Sequence, residues 1–260
     1  MPELPEIERL VRELRSTVVG KRIVDVAVRQ PRMLNRTPEQ FRSSVRGFVR
    51  AVRRVGKHLV LDLPEGELWL HLGLRGEMRY VGPETPWPQG VLALRFDDGA
   101  QLYLDRLFMG RAQVIPREEA AAQAAKFGVD PLDPSFTPER LADILRQRPS
   151  QPVKAVLMDQ ARLAGIGNTY ADEILFEAGI RPTRVVKALS ADDIRRLHAA
   201  TRRVLSEASE LGGEIVDLWG NPGRWENRVH GRERCPRCGT SVETVEIGGR
   251  TSYYCPRCQT

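Results

Sequence analysis

The chain has 260 residues, enough for one large domain or two of ordinary size, and its 41% hydrophobic content supports real cores. No apolar run is long enough to span a bilayer and no basic-then-apolar leader is visible. A membrane role is therefore excluded, and a cytoplasmic protein is expected, nucleoid-associated in a bacterium. A net charge of +6, carried largely by arginine, points to an anionic partner, nucleic acid first.

The chain opens Met1-Pro2-Glu3-Leu4-Pro5-Glu6. Removal of Met1 would leave Pro2 with a free secondary amine. An α-amino group has a pKa near ~7.7–8.0, so part of it is neutral and nucleophilic at physiological pH. Such an amine can attack a sugar C1 and form an iminium, with Glu3 and Glu6 close by to move protons. The same residues also read as ordinary helix-start signals, because Pro suits a first turn and acids suit the dipole. Leu4, Ile7, Val11 and Leu14 then give the apolar face of a helix of about three turns.

Arg22 to Val28 alternates as a strand, and Thr37-Pro38-Glu39-Gln40 is a capping box opening a short helix that Gly47 closes. Strands are expected over Phe48 to Val55, His58 to Leu63, Glu67 to Leu74, Val91 to Phe96 and Gln101 to Leu104. Between Arg42 and Lys57 lie six basic residues and no acidic one, a solvated basic face or a phosphate-binding strip. His71, at a strand end, is equally open between a structural and a functional part. The first 115 residues thus read as a β-rich domain with the N-terminal helix packed on it.

Residues 116–137, alanine-rich and then proline-rich, read as a linker. Helices are expected from Thr137-Pro138 towards Arg146, over Lys154 to Leu163, over Tyr170 to Ala178, and from Ser190 to about Leu211. Gly165-Ile166-Gly167-Asn168 can turn tightly and offer backbone N–H groups to a phosphate at the next helix start. At the C-terminus, Cys235-Pro-Arg-Cys238, sixteen residues and Cys255-Pro-Arg-Cys258 have the spacing of a four-thiolate structural zinc ribbon. Gly248-Gly249 is its hairpin turn, with Arg250 near the tip. No phosphate-binding loop or dinucleotide fingerprint appears, so no nucleotide cofactor is expected.

The N-terminal Pro-Glu-Leu-Pro-Glu, the Gly-Lys before a strand, His-Leu-Gly, Gly-x-Gly-Asn-x-Tyr-Ala-x-Glu and the paired CxxC motifs together resemble the formamidopyrimidine-DNA glycosylase family over essentially the whole chain. The resemblance implies a two-domain α+β architecture: an N-terminal β-sandwich with flanking helices (1–115), then a helix–two-turn–helix domain (138–225) and a zinc-ribbon finger (226–260). It implies damaged double-stranded DNA as partner and one structural Zn2+. A monomer is the default, with one active cleft per chain.

Carried over by position, Pro2 is the Schiff-base nucleophile, Glu3 its proton donor and Glu6 their support. Lys57 matches the lysine of β-elimination, and Arg250 the fingertip arginine of δ-elimination. His71, Lys154 and Asn168 match DNA-phosphate positions, and Tyr170, in the same motif, is also expected at DNA. The activity implied is base excision of oxidised purines (formamidopyrimidine, 8-oxoguanine), followed by cleavage at the abasic site.

Other positions depart from the family pattern. Relatives fill the vacated base stack with Met, Arg and Phe, where this chain has Leu74, Leu107 and Met109, flanked by Arg106 and Phe108. Gln89-Gly90 stands where a DNA-contacting histidine is expected, and Glu214 to Asp217 where Ser or Thr is common. The remaining readings are a paralogue preferring abasic sites or oxidised pyrimidines, and a zinc-ribbon DNA-binding protein without catalysis.

Overall fold

The computed structural model describes all 260 residues. They form two compact units, residues 1–126 with 211–224, and residues 127–210 with 225–260.

In the first unit, α1 (Leu4–Thr17) precedes β1 (Arg22–Val28) and α2 (Pro38–Val45). The strands β2 (Gly47–Phe48), β3 (Ala51–Val55), β4 (His58–Leu63), β5 (Gly66–His71) and β6 (Glu77–Val81) follow. β7 (Leu92–Phe96), β8 (Gln101–Asp105), β9 (Arg111–Ile115) and the short α3 (Ala120–Ala124) complete it. One sheet has the order β2-β1-β7-β8-β6 and the other β3-β4-β5-β9. All pairings are antiparallel. The inward faces of both sheets bury Ile23, Val26, Leu61, Leu70, Leu94 and Leu104 in one core, which Leu10, Val11 and Leu14 of α1 join. This is the expected β-sandwich with its helix.

The single strand expected over Phe48 to Val55 is divided between the sheets. Gly47 and Phe48 pair with β1, Arg50 N–H then reaches Asp62 O at 2.9 Å, and β3 runs on in the second sheet. Gly47, at φ +131°, makes this corner possible. β6 and β9, which the sequence pattern did not mark, close one edge of each sheet. β5 stops at His71, three residues before the expected end, because Gly73 turns the chain at φ +65°.

The second unit contains α4 (Pro138–Arg146), α5 (Val153–Leu157), α6 (Asn168–Ala178) and α7 (from Ala191, ending at Leu211). The finger hairpin is β10 (Glu243–Ile247) with β11 (Arg250–Tyr254). α5 is shorter than the expected 154–163. The Asp159 carboxylate accepts the Ala161 N–H and its carbonyl accepts Arg162 and Leu163 N–H, a local turn that competes with continued helix. α6 ends at Gly179 in the left-handed region at φ +70°, a glycine C-cap.

Candidate active site and zinc centre

The start of α1 is a capping structure that places Pro2 directly before it. Glu3 N–H donates to Glu6 Oε2 at 2.8 Å, so the third helical residue holds the backbone of the cap. Glu3 and Glu6 are 3% and 2% exposed, and Pro2 is also buried. The other Glu6 oxygen, Oε1, accepts Glu214 N–H at 3.0 Å. One carboxylate therefore braces both the residue after Pro2 and the loop that follows α7. Met1, Pro2, Leu74 to Glu77, Arg106 and Glu214 to Val216 enclose a cavity of about 560 Å³. That volume is ample to admit a nucleobase with part of its sugar, and the prospective amine is in its wall.

Lys57 lies in the β3–β4 turn after Gly56, which adopts φ +55°, and is 7% exposed. His71 Nδ1 accepts Gly73 N–H at 3.2 Å, so the neutral ring carries its proton on Nε2. Burial holds the His71 pKa below its ordinary value, with the charges of Lys57 and Arg111 adding to it. The His58 ring lies 5.0 Å from His71, and burial lowers its pKa to about 4. Both rings are neutral at pH 7, leaving Lys57 and Arg111 as the cations beside them.

Most of the basic strip between Arg42 and Lys57 is ion-paired within the sandwich. Arg53 meets both Glu67 oxygens at 2.7 Å and Arg54 meets Glu8 at 2.8 Å. These arginines fasten sheet and helix.

The loop after β8 departs from the expected presentation of its side chains. Arg106 and Met109 adopt positive φ (52° and 61°), and Leu74 N–H donates to Phe108 O at 2.9 Å, tying this loop to the β5–β6 turn. Leu74, Phe108 and Met109 are exposed, whereas Leu107 is 4% exposed and belongs to the sandwich core. Leu107 is thus not presented as a DNA-contacting wedge. The left-handed residue on either side of the Leu107–Phe108 pair turns Leu107 inward and Phe108 outward. Arg106 is extended towards β6 and pairs with Glu77 at 3.1 Å.

In the second unit Lys154 and Tyr170, both expected at DNA, are buried. Lys154 is 0% exposed, and its Nζ reaches Asp172 Oδ1 at 2.7 Å, Ser252 Oγ at 2.7 Å and Asn168 Oδ1 at 2.8 Å. Asn168 Nδ2 donates to Thr251 O, while Asp172 Oδ2 accepts Tyr253 N–H and meets His230 Nδ1. Lys154 therefore organises the start of α6 and its join to β11 instead of meeting solvent. Tyr170 packs against Trp225 with ring centroids 5.9 Å apart. Asn168 stays partly exposed at the first residue of α6, and Arg250 is exposed just after the Gly248-Gly249 turn.

The four cysteine sulfurs lie within 4.8 Å of one another. The Cys235–Cys258 and Cys238–Cys255 Sγ separations are 3.8 and 3.5 Å. A tetrahedron with Zn–S bonds of about 2.3 Å has edges of about 3.8 Å, so the donors fit one structural zinc ion. Around it, Gln259 ties the second knuckle to the end of α6, accepting Cys255 N–H and donating to Ile180 O.

Sequence reading missed Arg9, Glu13 and Asp172, and marked Asp217 only as part of a departing loop; these four hold the elements in place. Only the Arg9–Glu13 spacing and the turn signal of Asp217-Leu-Trp-Gly-Asn221 could have marked any of them.

A two-sheet sandwich, a helical unit and a four-cysteine finger, with a proline in the wall of a cavity that admits a nucleobase, define a DNA-repair glycosylase type of protein. Residues 1–110 match the formamidopyrimidine-DNA glycosylase N-terminal domain model, residues 127–219 the H2TH domain model of the same enzymes, and residues 232–260 the zinc finger found in FPG and IleRS. The chain belongs to the formamidopyrimidine-DNA glycosylase family. It is 40% identical to the formamidopyrimidine-DNA glycosylase of Symbiobacterium thermophilum over 100% of this chain and 89% of the relative. It is 38% identical to that of Geobacillus kaustophilus over 100% of both. Among solved structures, Lactococcus lactis Fpg in complex with abasic-site DNA superposes with a TM-score of 0.89 at 30% identity, covering 99% of each chain. A mutant of the Lactococcus lactis protein in complex with DNA containing Fapy-dG gives the same values.

Proposed function

We propose that this chain is a bifunctional DNA glycosylase and abasic-site lyase that removes oxidised purines from double-stranded DNA. The observation that carries the reading is Pro2 in the wall of the 560 Å³ cavity, directly before the Glu3–Glu6 cap. After loss of Met1, the Pro2 nitrogen attacks C1′ of a nucleotide turned out of the stack. The glycosidic bond breaks and the base leaves with its electron pair and picks up a proton; the Pro2 nitrogen then sheds its own proton and its lone pair opens the C1′–O4′ bond, O4′ taking a proton from an acid, the part we give to Glu3. The resulting iminium acidifies the C2′ proton; its removal expels the 3′ phosphate, and a second elimination expels the 5′ phosphate. Lys57 and Arg250 supply charge to these phosphates, and the exposed Leu74, Phe108 and Met109 fill the vacated stack. Residues 1–126 with 211–224 would serve as the catalytic unit, with 127–210 and 225–260, the finger included, gripping the strand.

Borohydride trapping with intact-mass analysis tests this. A covalent adduct with formamidopyrimidine and abasic duplexes, absent from protein that retains Met1, is expected. Absence of any adduct despite DNA binding would reduce the protein to a binder. A shift towards other lesions is favoured by one observation, the acidic and aliphatic wall of Glu214, Ile215 and Val216. Ranking trapping across 8-oxoguanine, formamidopyrimidine and oxidised-pyrimidine duplexes decides it.

A further inference from the structure

The cavity wall at Glu214–Val216 has no regular secondary structure of its own, yet it is held from three directions. From α1, Glu6 accepts Glu214 N–H, Arg9 donates to Gly212 O at 3.3 Å, and Glu13 Oε2 accepts Leu218 N–H at 3.1 Å. From β6, Arg79 donates to Asp217 O at 3.0 Å and Tyr80 N–H to Leu218 O at 2.9 Å. From within, Asp217 N–H donates to Asn221 O and Gly223 N–H to Ile215 O, folding residues 215–223 back on themselves.

At the centre is Asp217, 5% exposed. Its Oδ1 accepts the N–H groups of Trp219 and Asn221 at 2.9 and 2.8 Å. Its Oδ2 accepts Asn221 Nδ2 at 2.8 Å and Arg9 Nη2 at 3.0 Å. Every one of these donors needs an acceptor, and a carboxylate with about four lone-pair sites satisfies all four. Asp217 does not line the cavity; the residues on its N-terminal side do.

We propose that Asp217, clamped by Arg9, is a positioning residue that holds the Glu214–Val216 wall against the damaged base, so that it controls base excision and not cleavage of an abasic site. The inference rests on the glycosylase reading and adds a separable step to it. The intact substrate has a base to be gripped while C1′ is attacked. An abasic sugar has none, and reaches the Pro2 amine without using the wall. A pre-formed wall also spends no ordering entropy when the base arrives.

In Asp217→Asn, the amide oxygen still accepts the two backbone N–H groups, but the amide nitrogen faces the Arg9 and Asn221 donors, so the clamp opens. A charge-assisted hydrogen bond is lost, and the single-turnover rate of formamidopyrimidine release should fall about tenfold or more. Borohydride trapping on a preformed abasic duplex should stay near the unsubstituted rate. Arg9→Met, which removes the same clamp from the helix side, should reproduce the split, and the double variant should add little to either. Equal loss of both reactions in the two variants would show that Asp217 only supports the fold and would overturn the proposal, as would unchanged base release. Failure of the unsubstituted protein to trap abasic DNA at all would overturn the glycosylase reading itself, which is a different result.

Discussion

The burial of Leu107 beside exposed Phe108 can be tested by truncating each to alanine. Leu107 is 4% exposed, and a Cβ placed on Gly76 or Gly110 would come within 2.7 and 2.5 Å of its Cδ2, so it is tightly enclosed. Leu→Ala at such a site costs about 2–5 kcal/mol. With each kcal/mol worth roughly 2–4 °C in a chain of this size, a drop near 10 °C is expected in thermal unfolding. Phe108 is 60% exposed, and Phe108→Ala should leave stability within about 0.5 kcal/mol. Its loss should appear on DNA instead. An aromatic ring against an open base stack is worth roughly 1–3 kcal/mol, or about 5- to 150-fold in affinity for an abasic duplex. Since Leu74, Phe108 and Met109 carry no polar side-chain donor, affinity should also vary little with the base opposite the lesion. Fluorescence anisotropy with duplexes placing each of the four bases opposite an abasic analogue measures both. The reasoning fails if Leu107→Ala keeps its stability and loses DNA affinity, because Leu107 would then be the wedge. A strong cytosine preference abolished by Arg106→Ala would show that Arg106 leaves Glu77 on binding.

Three further outcomes follow from buried charge and metal. Lys154→Met takes from buried Asp172 its cationic partner and should destabilise the second unit by about 3–5 kcal/mol in urea unfolding, whereas Lys154→Arg, which keeps the charge, should cost less. Chelation of zinc at neutral pH should unfold the 235–258 knuckles and weaken DNA binding, with recovery on zinc addition, followed by circular dichroism and anisotropy. His58 has a folded pKa of about 4 against an unfolded value of 6.5, so the unfolded chain binds the extra proton first. Its contribution is complete above pH 6.5 and is lost as pH falls towards 4, by at most about 3 kcal/mol; His58→Gln should flatten that part of the urea-midpoint profile between pH 7 and 4.5.

The fold was largely readable because its signals are local. The apolar spacing of α1, the Thr37 capping box, the alternation of β1 and the paired CxxC knuckles each mark their element without knowledge of the rest. β6 and β9 were not readable, since Glu77-Met78-Arg79-Tyr80-Val81 and Arg111-Ala112-Gln113-Val114-Ile115 are short, carry charge and owe their strand state to partners far along the chain. The site divides in the same way. The cysteines announce their chemistry by type and spacing, and the N-terminal motif brings Pro2, Glu3 and Glu6 together at the start of α1. Whether a side chain points out is a tertiary property, and motif position placed Lys154, Tyr170 and Leu107 at DNA when packing buries all three.

Those buried residues suggest how this chain keeps family chemistry while changing its contacts. In each unit a buried carboxylate stands one layer behind a surface segment: Asp217 behind the cavity wall, and Asp172 behind Asn168 and the β11 strand. Buried ion pairs often gain little over apolar packing, so stability alone does not account for these two. What a carboxylate provides is direction. It accepts several N–H groups from different segments, so a loop lacking helix or strand is held in one position. The side chains of a loop held in this way can then change without moving the backbone that presents them. The Glu3–Glu6 cap fixes the backbone after Pro2, while Asp217 fixes the loop that walls the cavity and Asp172 the join between α6 and β11.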